Sequence, residues 1–178
     1  VTNTGTLSVS ARPQVRTDPR AGEFVADVRE DNSESIDVRY AARAVGIATG
    51  SGDDEVVNSG SISVDAWDLA SGCDTAGCRD LLAQKGIASA SVSAAGILTG
   101  GGNDIVRNSG SLAVLLHQGG ATSAAVAIDT GDGDDQLFLT GGSRVTGSVS
   151  LGSGDDTLTL GGTPAVTDAA GALVNVDA

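Results

Sequence analysis

The chain has 178 residues with 26 Gly, three Pro and only 2% aromatics, too few large side chains to fill the deep core of an ordinary globule or a helical bundle. Apolar residues still make up 40%, carried by Ala, Val, Leu and Ile, so this is not the composition of a disordered chain. A formal charge of −13 disfavours nucleic acid and anionic membrane surfaces and favours cations or basic partners.

Read in chain order, the sequence is organised by repeats. Residues 1–9, VTNTGTLSV, match only the second half of the unit that follows. The chain therefore opens inside a repeat and reads as a single segment, 1–178, cut from a longer array. Residues of about 11–35 form a polar insertion. Arg12, Arg16, Arg20 and Arg29 lie in or near it, and are expected to pair with Glu23, Asp27, Glu30 and Asp31. Residues 45–64, VGIATGSGDDEVVNSGSISV, are the first full copy. A second insertion, about 66–86, holds Trp67, Cys73, Cys78 and the stretch CRDLLAQKG, predicted as one short helix closed by Gly86. Cys73 and Cys78 enclose four residues, a spacing open to a local disulfide or to two free thiols.

Residues 95–114, AGILTGGGNDIVRNSGSLAV, repeat 45–64 without a gap at an offset of 50. Shorter copies follow at 126–141 and 149–162, offset by 31 and 21. Each copy alternates apolar and polar residues on short runs punctuated by Gly, the pattern of strand, turn, strand, turn, strand. No single copy buries its inner face alone, but stacked copies enclose a narrow core that small aliphatic residues fill. The expected fold is an all-β parallel solenoid with insertions at one corner. Those insertions shrink along the chain: 43 residues separate Leu7 from Gly50, and only 7 separate Val145 from Gly152.

The strongest chemical pattern is the Gly-rich corner. GSGDDEV (50–56), GGGNDIV (100–106), GDGDDQL (131–137) and GSGDDTL (152–158) share G-x-G-x-D-x-[VL]. Gly supplies turns with positive φ, while carboxylates and turn carbonyls are hard oxygen ligands suited to Ca²⁺. The candidate metal ligands are Asp53, Asp54, Asp104, Asp134, Asp135, Asp155 and Asp156. If stacking aligns these carboxylates, a cation or intervening water is expected to relieve their repulsion. The competing reading is a tight solvated turn in which each Asp bonds its own backbone. Asn3, Asn58 and Asn108 occupy one equivalent position and predict an amide ladder, which Leu139 and Leu160 replace in the last two copies.

Catalysis is not expected. The lone His, His117, lies in LLHQGG, reads as a loop residue and lacks a nucleophile motif. The Asp pairs recur in every copy, whereas an active site is unique. No run of about 18 apolar residues is present, so no transmembrane helix is predicted.

The corner motif resembles the calcium-binding nonapeptide of RTX proteins, although it occurs here once per copy and not in tandem. The full unit GxGDDxVxNSGxIxV, carried by residues 46–64 and 96–114, resembles passenger-domain repeats of bacterial autotransporters. That resemblance implies a right-handed parallel β-helix, secreted or displayed on the surface of a Gram-negative bacterium. It further implies a non-catalytic stalk or adhesion scaffold that presents loops 11–35 and 66–86 to a protein or glycan partner, with self-association open. A calcium-dependent RTX-like secreted module is the alternative, and a polysaccharide-active β-helix enzyme is a third, weaker reading.

Overall fold

The computed structural model describes residues 1–12, 16–17, 24–25, 42–68, 71 and 92–171. The cysteine pair Cys73/Cys78, the expected helix at 78–86 and most of both expected insertions lie outside these residues. Among the described residues the protein is all β, with no helix.

Three parallel sheets carry the fold, and the chain visits them in rotation. The first holds β5 (Ala42–Ser51), β8 (Val92–Gly101), β12 (Val126–Asp129) and β15 (Ser148–Ser150). The second holds β1 (Thr2–Asn3), β6 (Glu55–Asn58), β9 (Ile105–Asn108), β13 (Gln136–Leu139) and β16 (Thr157–Leu160). The third holds β2 (Thr6–Ala11), β7 (Ser61–Trp67), β10 (Ser111–Gln118), β14 (Arg144–Thr146) and β17 (Ala165–Thr167). Each pass of the chain thus adds one strand to each sheet, and equivalent residues stack in register: Val56 on Val106, Val106 on Leu137, Leu137 on Leu158.

Two antiparallel pairs depart from this rule. β3 (Arg16–Thr17) pairs with β4 (Phe24–Val25). β11 (Ala121–Ala124) folds back on β10 through Gly119 and Gly120, both at positive φ. That two-residue Gly-Gly connection is the hairpin chemistry expected for paired strands. The hairpin takes Leu115–Gln118, while β14 takes Ser111–Ala113 of the same strand.

Alternation puts one residue in two inside. Ile62, Val64 and Ala66 of β7 are buried, and so are Leu112 and Val114 directly above Ile62 and Val64. Ile97, Ile128 and Val149 stack from the first sheet, and Val56, Val106 and Leu137 from the second. The core is continuous and narrow. Gly46 and Gly96 face it where strands approach most closely: a Cβ on Gly96 would meet the Leu112 and Val114 side chains at 2.8 and 2.9 Å. Small residues are therefore a steric requirement of this core, which explains the near absence of aromatics.

Candidate functional site

The Gly corners join the first sheet to the second. Gly50, Gly100, Gly131 and Gly152 have φ between 90 and 109°, and a Cβ on any of the last three would collide with the carbonyl oxygen of the Gly one pass before. The sequence can therefore place only Gly there, and the backbones of successive corners come into direct contact. The second Gly of each corner donates its N–H to the next pass: Gly52 to the Gly101 carbonyl at 2.6 Å, Gly102 to Asp132 at 2.8 Å and Gly133 to Ser153 at 2.8 Å.

Stacking brings all seven candidate aspartates onto this edge in two ladders. In the inner ladder, the N–H of Asp54 donates to Asp104 Oδ1, that of Asp104 to Asp135 Oδ1 and that of Asp135 to Asp156 Oδ1, at 2.8, 2.8 and 2.9 Å. The outer ladder runs the opposite way. Asn103 N–H donates to Asp53 Oδ1, Asp134 N–H to Asn103 Oδ1 and Asp155 N–H to Asp134 Oδ1. Each bonded carboxylate is thus held by a backbone donor of an adjacent pass, and not by its own turn. Charge-assisted N–H bonds stabilise the inner carboxylates, beside whatever relief a cation or water supplies. Asn103 also interrupts the outer run of charge with a neutral amide.

The inner ladder is not fully satisfied. Asp104 and Asp135 are 0% and 1% exposed, and the Oδ2 atom of each is buried without a hydrogen-bond partner. Among the described residues, no three His, Cys, Asp or Glu side chains converge in an arrangement able to hold a metal ion. Beside these carboxylates runs a third ladder, in which Thr49, Thr99 and Thr130 hydroxyls donate to the carbonyls of Thr99, Thr130 and Leu151.

At the second corner the amide ladder forms as expected. Asn3 Nδ2 donates to Asn58 Oδ1 at 2.8 Å, and Asn58 Nδ2 to Asn108 Oδ1 at 2.6 Å. It stops at Leu139, which stacks on Asn108 and is followed by Leu160.

A second cluster, which sequence reasoning missed, lies at the far end of the third sheet. His117 is a strand residue of β10 and not a loop residue. Its ring stacks on Trp67 with centroids 4.4 Å apart and 8° between planes. The Arg12 guanidinium lies 4.1 Å from the centroid of the Trp67 ring. His117 Nε2 is 3.0 Å from Asp65 Oδ1, and Nδ1 is 3.1 Å from Thr122 Oγ1 of β11. Next to them the buried Asp68 accepts N–H bonds from Ser71 and Gly119, at 2.6 and 2.8 Å. The signal was available: Trp67 and His117 are 50 apart, so the repeat alignment of 45–64 with 95–114 needed only three more residues.

A hydroxyl, an imidazole and a carboxylate in sequence suggest a nucleophilic triad, but no oxyanion-hole donors complete it among the described residues. The nearby Gly119 and Gly120 N–H groups are already bonded to Asp68 and Ser71 Oγ, so they do not form an oxyanion hole. No family model matches the chain, and no curated protein or solved structure matches it.

Proposed function

We propose that the chain is a segment of a right-handed parallel β-helix, secreted or surface-displayed in the manner of autotransporter passengers, that acts without catalysis as a stalk or adhesion scaffold. The observation that carries this reading is the rotation of the chain through three parallel sheets, with the long insertions leaving from the same end of the third sheet on successive passes. β2 ends at Ala11 and β7 at Trp67, and Ala11 stacks on Ala66. Segments that depart one pass apart are held about 4.8 Å apart at their bases, so a shared partner meets a preorganised pair of attachment points. The partner is a protein or glycan surface; the segment itself inserts into no membrane.

The test replaces residues 72–90 with a short Gly-Ser linker and compares binding to cultured cells, matrix proteins and glycan arrays. The variant should keep its far-UV β signal and lose binding. Binding that persists undiminished, or an intact chain that binds none of these surfaces, overturns the proposal.

A second reading, a calcium-dependent module, is favoured by the two unpartnered oxygens of Asp104 and Asp135. Calcium takes about six to eight oxygen ligands, of which these two carboxylates offer a minority; Asp53, Asp54, Asp134, Asp155 and Asp156 would hold it only from neighbouring positions. This reading expects millimolar CaCl2 to raise the melting temperature of EDTA-treated protein beyond NaCl of equal ionic strength. Equal melting temperatures in the two salts remove it.

A further inference from the structure

The cluster at the end of the third sheet joins three chain departures: the end of β2, the end of β7 and the β10–β11 hairpin. Its centre, His117, is the only histidine of the chain, stacked on its only tryptophan. Histidine is the side chain whose charge changes between about pH 5 and 8. The His117 and Asp65 side chains are 20% and 23% exposed, so protons reach them from solvent.

We propose that this stack is a proton-responsive clamp: protonation of His117 tightens the β10–β11 hairpin onto β7, and deprotonation loosens it. Connectivity is the same in both charge states. In the neutral ring, Nε2–H donates to Asp65 Oδ1 and Nδ1 accepts from the Thr122 hydroxyl. In the charged ring both nitrogens donate, and the Thr122 hydroxyl turns to accept. What changes is strength. The bond to Asp65 becomes a charge-assisted ion pair, and neutral stacking on Trp67 becomes a cation–π contact.

Among the described residues, three charged side chains lie around His117. From β7 comes Asp65, in direct contact, and just past its end lies Asp68, whose carboxylate accepts the N–H of Gly119, two residues along from His117. From the end of β2 comes Arg12, which contacts Trp67 at 4.1 Å while the indole itself contacts His117. β11 contributes no charged side chain. The tightening is assigned to the bond in direct contact, His117 Nε2 to Asp65 Oδ1 at 3.0 Å, which becomes charge-assisted when the ring is charged. This inference is independent of the scaffold reading, since it concerns the described strands and needs no partner.

The test uses the whole chain. Amide exchange of residues 115–124, corrected for intrinsic rates, is compared at about pH 5.5 and about pH 7.5, and Trp67 emission is followed between them. A protonated imidazole stacked on an indole quenches its emission, so the emission should fall as His117 gains its proton. Exchange in the hairpin should be about threefold slower at the lower pH. His117→Gln keeps a donor for Asp65 but carries no charge, and both responses should vanish. Asp65→Asn keeps the stack and removes the ion pair, so emission should still titrate while the exchange difference shrinks. An exchange ratio near one in the parent chain, or a His117→Gln variant as pH-responsive as the parent, overturns the clamp. Titrating emission with pH-independent exchange overturns it equally.

Discussion

At Asp104 a single side chain carries two opposed demands: its Oδ1 accepts the Asp54 N–H of the preceding pass, while its Oδ2 is buried without a partner. Truncation at this position leaves the Asp54 N–H unpaired. Asp104→Ala should therefore destabilise the chain by about 1–3 kcal/mol in urea unfolding. Asp104→Asn keeps an acceptor and removes one of a column of like charges, so its cost should be the smaller of the two; a larger cost for Asn would show that the negative charge itself is required. Gly131 makes a sharper case. Its φ of 95° and the approach of the Gly100 carbonyl leave no room for a methyl group. Gly131→Ala should lose about 1–3 kcal/mol or more, whereas Gly142→Ala, with open space around its Cβ position, should change stability by less than about 1 kcal/mol. Comparing the two melting temperatures separates a required corner from a tolerant one.

At the scale of elements, the strands were legible because the copies are written almost identically. Ile62, Leu112 and Val145 were recognisable as one column, and they stack in register on adjacent strands. The direction of the Asp bonds was not legible. Whether a carboxylate reaches its own turn or the next pass depends on the offset between stacked backbones, which carries no sequence signature. The Arg12–Trp67–His117 stack was missed for another reason: each member lies three residues past the end of an aligned copy, beyond Val9, Val64 and Val114, where the residue types no longer match. The hairpin at Gly119–Gly120 did carry a signal, a Gly pair between two alternating runs, that the longer repeats obscured. Packing within these elements leaves little room for repair. Leu112, buried between Ile62 and Val145, has Gly96 opposite it. Leu112→Ala should cost about 2–5 kcal/mol, because no large neighbour is available to refill the space; equilibrium unfolding will show it as a lower midpoint.

Over the whole molecule, charge collects along one edge. The inner ladder sets carboxylates about 4.8 Å apart along the stack, where each unscreened pair costs on the order of 1 kcal/mol in water and more inside protein. The exposed Asp53, Asp134 and Asp155 lie beside them. Added NaCl should raise the melting temperature, most steeply between about 10 and 150 mM, where the Debye length falls from roughly 30 to 8 Å. A melting temperature that stays flat across that range would mean that the backbone donors already offset the repulsion. The fold therefore concentrates its electrostatic sensitivity at one edge and its proton sensitivity at another.

The change from asparagine to leucine along the second corner has a consequence for how the chain finds its order. Residues 45–64 and 95–114 are similar enough to trade places, and such near-duplicates invite misthreading in which a strand joins the stack one level too high or too low. Asn58 and Asn108 interlock as amides, and the column changes character where Asn108 rests on Leu139 with its own Nδ2 donating to the Gly110 carbonyl at 3.4 Å; a further amide placed between Leu139 and Leu160 would meet hydrocarbon on both sides. A strand that slips from the polar half of the column into the apolar half is penalised as soon as it docks. The column thus numbers its own levels and marks which copy is early and which is late, information that near-identical strands do not otherwise carry.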